Sequence, residues 1–177
     1  MEQVRGGDLE RLSELFERHH RRLYQFFLKL ARDRSVAEDL VQEVFVRVLK
    51  YRHTWRSEAE FVPWMFALAR NAAVDHFRSR TRDSKRDAAA AAPSRPTAPR
   101  AVERLEEAER AGQLRKALDL LSPDKREVLL LARFGELKHD RIADLLGISP
   151  GAVRVRLHRA LKELREAYRQ VTAEELP

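Results

Sequence analysis

Large apolar residues recur at spacings of three, four and seven through the N-terminal half of the chain. Leu9, Leu12, Leu15, Phe16, Leu23, Phe26, Phe27 and Leu30 share one face, which predicts an amphipathic helix. Ser35 stands three residues before Glu38, the spacing of a capping box, and opens a second run with Val36, Leu40, Val41, Val44, Phe45, Val48 and Leu49 on one side. A third run covers Phe61 to Arg78 with Pro63 near its start. Proline is tolerated only where its missing amide has no intrahelical partner, so this helix begins no earlier than Ala59. Ser57 and Glu60 offer a rival start, but a proline clash costs about 3 kcal/mol and a lost cap about 1 kcal/mol, so the proline decides.

The pattern then breaks. Ser79 to Arg100 reads SRTRDSKRDAAAAAPSRPTAPR, with no large apolar residue and with prolines at Pro93, Pro96 and Pro99, the composition of a flexible tether. The alanines also allow a helical extension as far as Ala92, where Pro93 would stop it. Helical period resumes from Val102 to Leu121, and Ser122-Pro123 supplies a cap and first-turn residue for the buried run EVLLLARF. In RIADLLGISPGAVRVRLHRALKEL, Gly147 closes one helix and Ser149-Pro150 opens the next, a helix-turn-helix signature. No strand of useful length and no internal repeat is visible. The expected fold is all-α: two small helical domains, 1–80 and 102–177, joined by a flexible linker over 81–101, the C-terminal one a helix-turn-helix.

Charge narrows the partners. The net charge of +7 and pI near 10.1 favour an anionic partner such as nucleic acid or an acidic membrane surface. Residues 102–177 hold 15 Lys+Arg against 14 Asp+Glu, so any DNA-binding character there must be local. The absence of cysteine excludes disulfides, zinc ribbons and a thiol nucleophile from this chain. The charged start MEQVRGGDLERLSELFERHH lacks the apolar core of a signal peptide, and no apolar stretch is long enough for membrane insertion, so the expected location is cytoplasmic.

Three segments carry candidate chemistry. In the last helix Val153, Leu157, Ala160, Leu161 and Leu164 form an apolar stripe, opposed by Arg154, His158, Arg159 and Lys162 with Arg156 at the edge. Arginine bonds guanine bidentately and neutralises phosphate, so a capped helix after a tight turn with this face reads as a DNA-recognition helix. The third helix interleaves Phe61, Trp64, Phe66 and Phe77 with Asn71, Asp75, Arg78 and Arg80, a mixture able to stack unpaired bases and hold a single strand. The same aromatics would equally fill a core. In the second helix Glu38, Asp39, Gln42 and Glu43 form an acidic patch, which a favourable interaction with the helix dipole would also explain. The Asp75-His76 and His139-Asp140 pairs are the only hints of phosphodiester chemistry. Neither has the spaced carboxylates of a metal site, so no enzyme activity, metal or cofactor is expected.

AEDLVQEVFVRVLKYRHTW followed by FVPWMFALARNAAVDHFR resembles region 2 of extracytoplasmic-function sigma factors. LSPDKREVLLLARFGELKHDRIADLLGISPGAVRVRLHRALKELR resembles their region 4. The resemblance implies a sigma factor that binds core RNA polymerase through the beta-prime clamp helices and the beta subunit, recognises promoter DNA as duplex and as single strand, and answers to an anti-sigma factor. By position, Asp39, Leu40, Gln42, Glu43 and Phe45 would meet the clamp helices, and Trp64, Phe66, Asn71, Asp75 and Arg78 would open and read the minus-ten element. Tyr51 to Glu60 would form the loop that receives a flipped base, and Arg154, Val155, Arg156, His158 and Arg159 would read the minus-thirty-five element. The chain departs from the family at Lys138-His139-Asp140-Arg141, where relatives have a small cap residue and acids, and at Val155, which offers only a methyl contact. The alternative is a stand-alone helix-turn-helix regulator of duplex DNA, which would need neither the acidic patch nor the aromatic-asparagine helix.

Overall fold

A computed structural model describes residues 1–83 and 101–174, all the regular structure of which is helical. In chain order the elements are α1 (Glu2–Arg5), α2 (Arg11–Ala31), α3 (Arg34–Tyr51), a 3-10 turn (Arg52–Thr54), α4 (Phe61–Asp83), α5 (Ala101–Asp119), α6 (Pro123–Gly135), α7 (His139–Leu146) and α8 (Pro150–Glu174). They group into two compact units, one holding α1 to α4 together with Phe134–Leu137, the other holding the rest. No helix among the described residues is long and apolar enough to cross a membrane.

In the first unit α3 packs on both α2 and α4. Leu23, Phe26 and Phe27 of α2, Val44 and Val48 of α3, and Met65, Phe66 and Ala69 of α4 are shielded completely from solvent. Each large side chain so buried contributes roughly 1.5–3 kcal/mol of transfer free energy. Phe26 meets Phe66 edge to face, centroids 5.3 Å apart. The turn from α2 to α3 is short: Arg32 ends α2 in the left-handed region at φ 65°, and Asp33 already caps α3, accepting from the Val36 amide through Oδ1 at 3.2 Å. The expected Ser35 cap is therefore displaced. Asp33 carries the stronger acceptor and the helix begins before Ser35, which sits exposed inside it.

Two other expectations shift in this unit. Leu9 lies ahead of α2 and is exposed, so the apolar face of that helix starts at Leu12 and Leu15. The charged N-terminus also forms a helical turn, α1, whose Val4 is fully buried and whose Arg5 Nη1 donates to the Trp55 carbonyl at 3.3 Å. This turn packs on α2 and on the 3-10 turn and so braces the chain leaving α3. At the other end α4 begins at Phe61, as Pro63 requires, and runs to Asp83. Residues 81–83 and Ala101 are thus helical where the linker was expected, and the rest of that expectation, with the helical extension to Ala92, lies outside the described residues.

The second unit is organised by Arg126 of α6. Its buried guanidinium donates from Nε to the Leu118 carbonyl at 2.9 Å and from Nη2 to those of Asp119 and Leu121 at 3.1 and 3.2 Å. It thereby satisfies carbonyls that the end of α5 leaves without intrahelical partners. That helix stops at Asp119, sooner than expected, leaving Leu120 exposed and Leu121 buried. The EVLLLARF run is a core helix as read, with Val128 to Leu131 all buried. On α8 the buried stripe is Val153, Ala160, Ala167 and Val171; Leu161, expected on that stripe, is 43% exposed because it lies one position past Ala160.

Candidate nucleic-acid interface

The helix-turn-helix has the local geometry its residues require. Gly147 ends α7 at φ 66° and ψ 34°, a conformation glycine adopts without steric penalty. Pro150 opens α8, and Ser149 Oγ accepts the Ala152 amide at 3.1 Å. Lys138 precedes α7 without any side-chain capping bond, so the departure noted there is a real loss of a cap. Arg154, Val155, His158 and Arg159 stand exposed on α8. Arg156 is turned partly inward, its Nη1 3.7 Å from Asp124 Oδ2, beside a recess of about 420 Å³ that also takes in Lys125, Val155 and Arg159. Four of the five residues read from the sequence therefore share one open face, and the fifth borders it.

In the first unit the residues read as one surface separate into two layers. Leu40 and Phe45 are core residues, 3% and 6% exposed, and the Phe45 ring meets Phe16 at 4.9 Å. They cannot form a docking surface; they anchor α3 in the core. Asp39 and Gln42 are exposed and Glu43 half-exposed, which leaves an acidic polar face. Phe66 is likewise entirely core and so unavailable to bases, whereas Trp64 is half-buried with Phe61 6.0 Å from it. Of the two readings of the aromatics, the core one holds for Phe66, while Trp64 keeps part of its surface exposed.

A groove of about 630 Å³ runs along α3 and α4, lined by Arg47, Tyr51, Thr54, Asn71, Asp75 and Arg78 among others. Asn71 and Arg78 are exposed, so an amide and a guanidinium are presented together. Tyr51 is exposed as well, with Lys50 Nζ 5.4 Å from its ring centre. Arg47 lines the groove between two acids: its Nε donates to Glu43 Oε1 at 2.6 Å and its Nη1 lies 3.0 Å from Asp75 Oδ2. Burial alone would push the Arg47 pKa down; the hydrogen bonds it donates to Glu43 and Asp75, with the charges of those carboxylates, more than offset it, and the pKa is raised. Arg47 was not singled out from the sequence, although its position four residues after Glu43 on a helix is the spacing of an ion pair.

Neither suggested acid-histidine pair forms a metal centre. Asp75 is bonded to Arg47, the adjacent His76 Nε2 is buried without a hydrogen-bond partner, and His139 and Asp140 are both exposed. Among the described residues no group of three or more His, Cys, Asp or Glu side chains is placed to hold a metal ion.

The match to known families follows the same division. Residues 15–83 match Sigma-70 region 2 and residues 111–164 match Sigma-70, region 4. The RNA polymerase sigma factor CarQ of Myxococcus xanthus is 33% identical over 173 residues, covering 94% of both chains. The ECF RNA polymerase sigma factor SigX of Bacillus subtilis is 30% identical over 92% of this chain and 85% of its own. Among solved structures, the sigma factor RpoE from Bartonella quintana, in complex with the anti-sigma factor NepR, superposes with a TM-score of 0.74 at 22% identity, over 89% of this chain and 96% of that one. CnrH in complex with the cytosolic domain of CnrY gives 0.67 at 25% identity, over 93% and 91%. These relatives are initiation factors, and they lend no support to a stand-alone regulator. With regions 2 and 4 matched in order, and relatives at 30% identity or more aligned along nearly the whole chain, this protein belongs to the extracytoplasmic-function family of RNA polymerase sigma factors and serves as an alternative sigma factor in transcription initiation.

Proposed function

We propose that the chain docks on core RNA polymerase through the α3 face of Asp39, Gln42 and Glu43, holds the opened minus-ten strand in the α3–α4 groove, and reads the minus-thirty-five element with α8. Residues 1–80 would act as the melting domain, 81–101 as the linker and 102–177 as the upstream-reading domain. The observation that carries this reading is the groove itself, where exposed Asn71 and Arg78 face a tyrosine at the end of the same helix that carries the acidic face. Unstacking bases costs a few kcal/mol per step, and an amide donor, a cation and an aromatic surface are what recover that cost on the released strand. Trp64 would border this surface, with Phe66 supporting it from the core.

The work is binding and strand opening, with nucleotide addition left to the polymerase, so we infer no catalytic residue and no cofactor. The cytoplasm, where core polymerase resides, is the inferred location. Because the RpoE and CnrH structures were both solved with a partner, NepR and the cytosolic domain of CnrY, an anti-sigma factor is the inferred regulator here.

Strand opening tests the reading most narrowly. Asn71→Ala should fold and bind core polymerase normally yet open a paired promoter poorly, and a promoter with a pre-melted mismatched bubble should restore much of the activity. Permanganate reactivity of thymines in the bubble follows this directly. Normal opening by Asn71→Ala at low temperature, where melting limits the rate, would remove the assignment.

A further inference from the structure

Arg47 joins the two surfaces that the proposed function treats separately. Glu43 belongs to the α3 face assigned to docking, Asp75 lines the groove assigned to the strand, and the Arg47 guanidinium is hydrogen-bonded to both. Its side chain is only 20% exposed, whereas Glu43 and Asp75 keep 44% and 60%. The three together carry one net negative charge on the wall of a groove meant for a polyanion. Asp75 alone would be neutralised by Arg47; it is the second acid, Glu43, that tips the balance. Glu43 also takes up Nε, leaving less of the guanidinium fork for phosphate, although that fork suits phosphate oxygens geometrically.

The acidic character of the α3 face determines what sort of protein surface it accepts. Asp39, Gln42 and Glu43 offer carboxylates and an amide, so the complementary partner surface is basic. A cation from that partner bound at Glu43 would draw the carboxylate away from Arg47, turning the triad into a neutral Arg47–Asp75 pair with a free donor at the groove.

We propose that Arg47 is a phosphate-binding residue of the groove which Glu43 holds in check, and that docking of a basic polymerase surface on Glu43 releases it. Polymerase binding and strand capture are thereby coupled through one side chain. The proposal rests on the docking and strand readings above and adds the link between them.

The test is a titration of the full chain, without polymerase, into a dye-labelled single-stranded minus-ten oligonucleotide, followed by fluorescence anisotropy at several salt concentrations. Glu43→Gln mimics release: it keeps the shape and removes the charge. It should tighten binding at least threefold and steepen the dependence of log affinity on log salt by roughly the 0.7 expected for one more phosphate contact on a single strand. In an Arg47→Gln background the same change should have little effect, and Arg47→Lys, which keeps charge but not the fork, should respond in part. An equal gain from Glu43→Gln in both backgrounds would mean that net charge alone is at work and would overturn the proposal, as would no gain in either. Asn71→Ala in the same titration separates this from the reading beneath it. Weaker binding by that variant upholds the groove, while binding equal to the parent chain would overturn the groove assignment and the Arg47 proposal with it.

Discussion

His19 illustrates how a single residue escapes a pattern-based reading. It sits on the apolar face of α2 between Leu15 and Leu23, is 8% exposed, and its ring meets Phe61 at 5.3 Å. Burial, with Arg22 and Arg18 nearby, lowers its pKa from 6.5 to about 4. The folded state therefore binds the proton less readily than the unfolded chain, and folding stability falls as pH drops from 6.5 toward 4. Above that window the imidazole is neutral in both states, and below it protonated in both. The difference of about 2.5 pK units amounts to roughly 3 kcal/mol at the acid end. Urea unfolding at pH 7 and at pH 4.5 should show a loss of that order in the native chain and a distinctly smaller one in His19→Gln. An identical acid loss in both would place the titration elsewhere. At this scale the sequence revealed which residue types could serve, such as Asn71 and Arg154, but not which way each one points: Leu40, Phe45 and Phe66 carry the family match yet lie in the core, because residues one or two positions apart on a helix face different directions.

Among the elements, α2 to α8 were legible from apolar period and from breakers, because each is a helix of eight or more residues, long enough for one or the other signal to show. The short α1 was not, since four residues cannot show a period and Val4 is a single apolar residue among polar ones. Helix starts were legible where a proline fixed the frame, at Pro123 and Pro150, and the cap was misread at α3, where Asp33 and Ser35 are both good caps and only the backbone chooses. That choice has a measurable consequence. Asp33→Ala should destabilise the first unit by about 1 kcal/mol, and Ser35→Ala by no more than a few tenths. A larger cost for Ser35→Ala in thermal unfolding would restore the expected capping box. On α8, Arg154 is exposed while Arg156 is paired with Asp124, so the two should act differently. If Arg154 bonds a base edge, Arg154→Ala costs about 1–3 kcal/mol on the native upstream element and little on a scrambled one. Arg156→Ala should change both alike. Footprinting of the polymerase complex on the two promoters distinguishes these outcomes, and equal losses on native and scrambled elements for Arg154→Ala would make it a phosphate contact.

For the molecule as a whole, the double match to regions 2 and 4 was readable in the sequence because each region combines a helical frame with polar residues at fixed places in it. The Glu43–Arg47–Asp75 triad was not, because it joins α3 to α4 and only folding brings Asp75 within 3.0 Å of Arg47. The docking proposed for the α3 face would depend on its charge, so Asp39→Lys should abolish co-purification with core polymerase while the helical circular dichroism stays intact; full retention on the core enzyme would remove that face from the interface. The central claim is that this chain gives core polymerase a promoter preference of its own, and run-off transcription with mapping of start sites measures it most directly. Core polymerase with this chain should start at discrete sites that share a minus-ten and a minus-thirty-five element, sites silent with core enzyme alone. Failure to yield any specific start with a core enzyme that a known sigma factor activates, together with tight binding of this chain to promoter duplex in the absence of polymerase, would contradict the account.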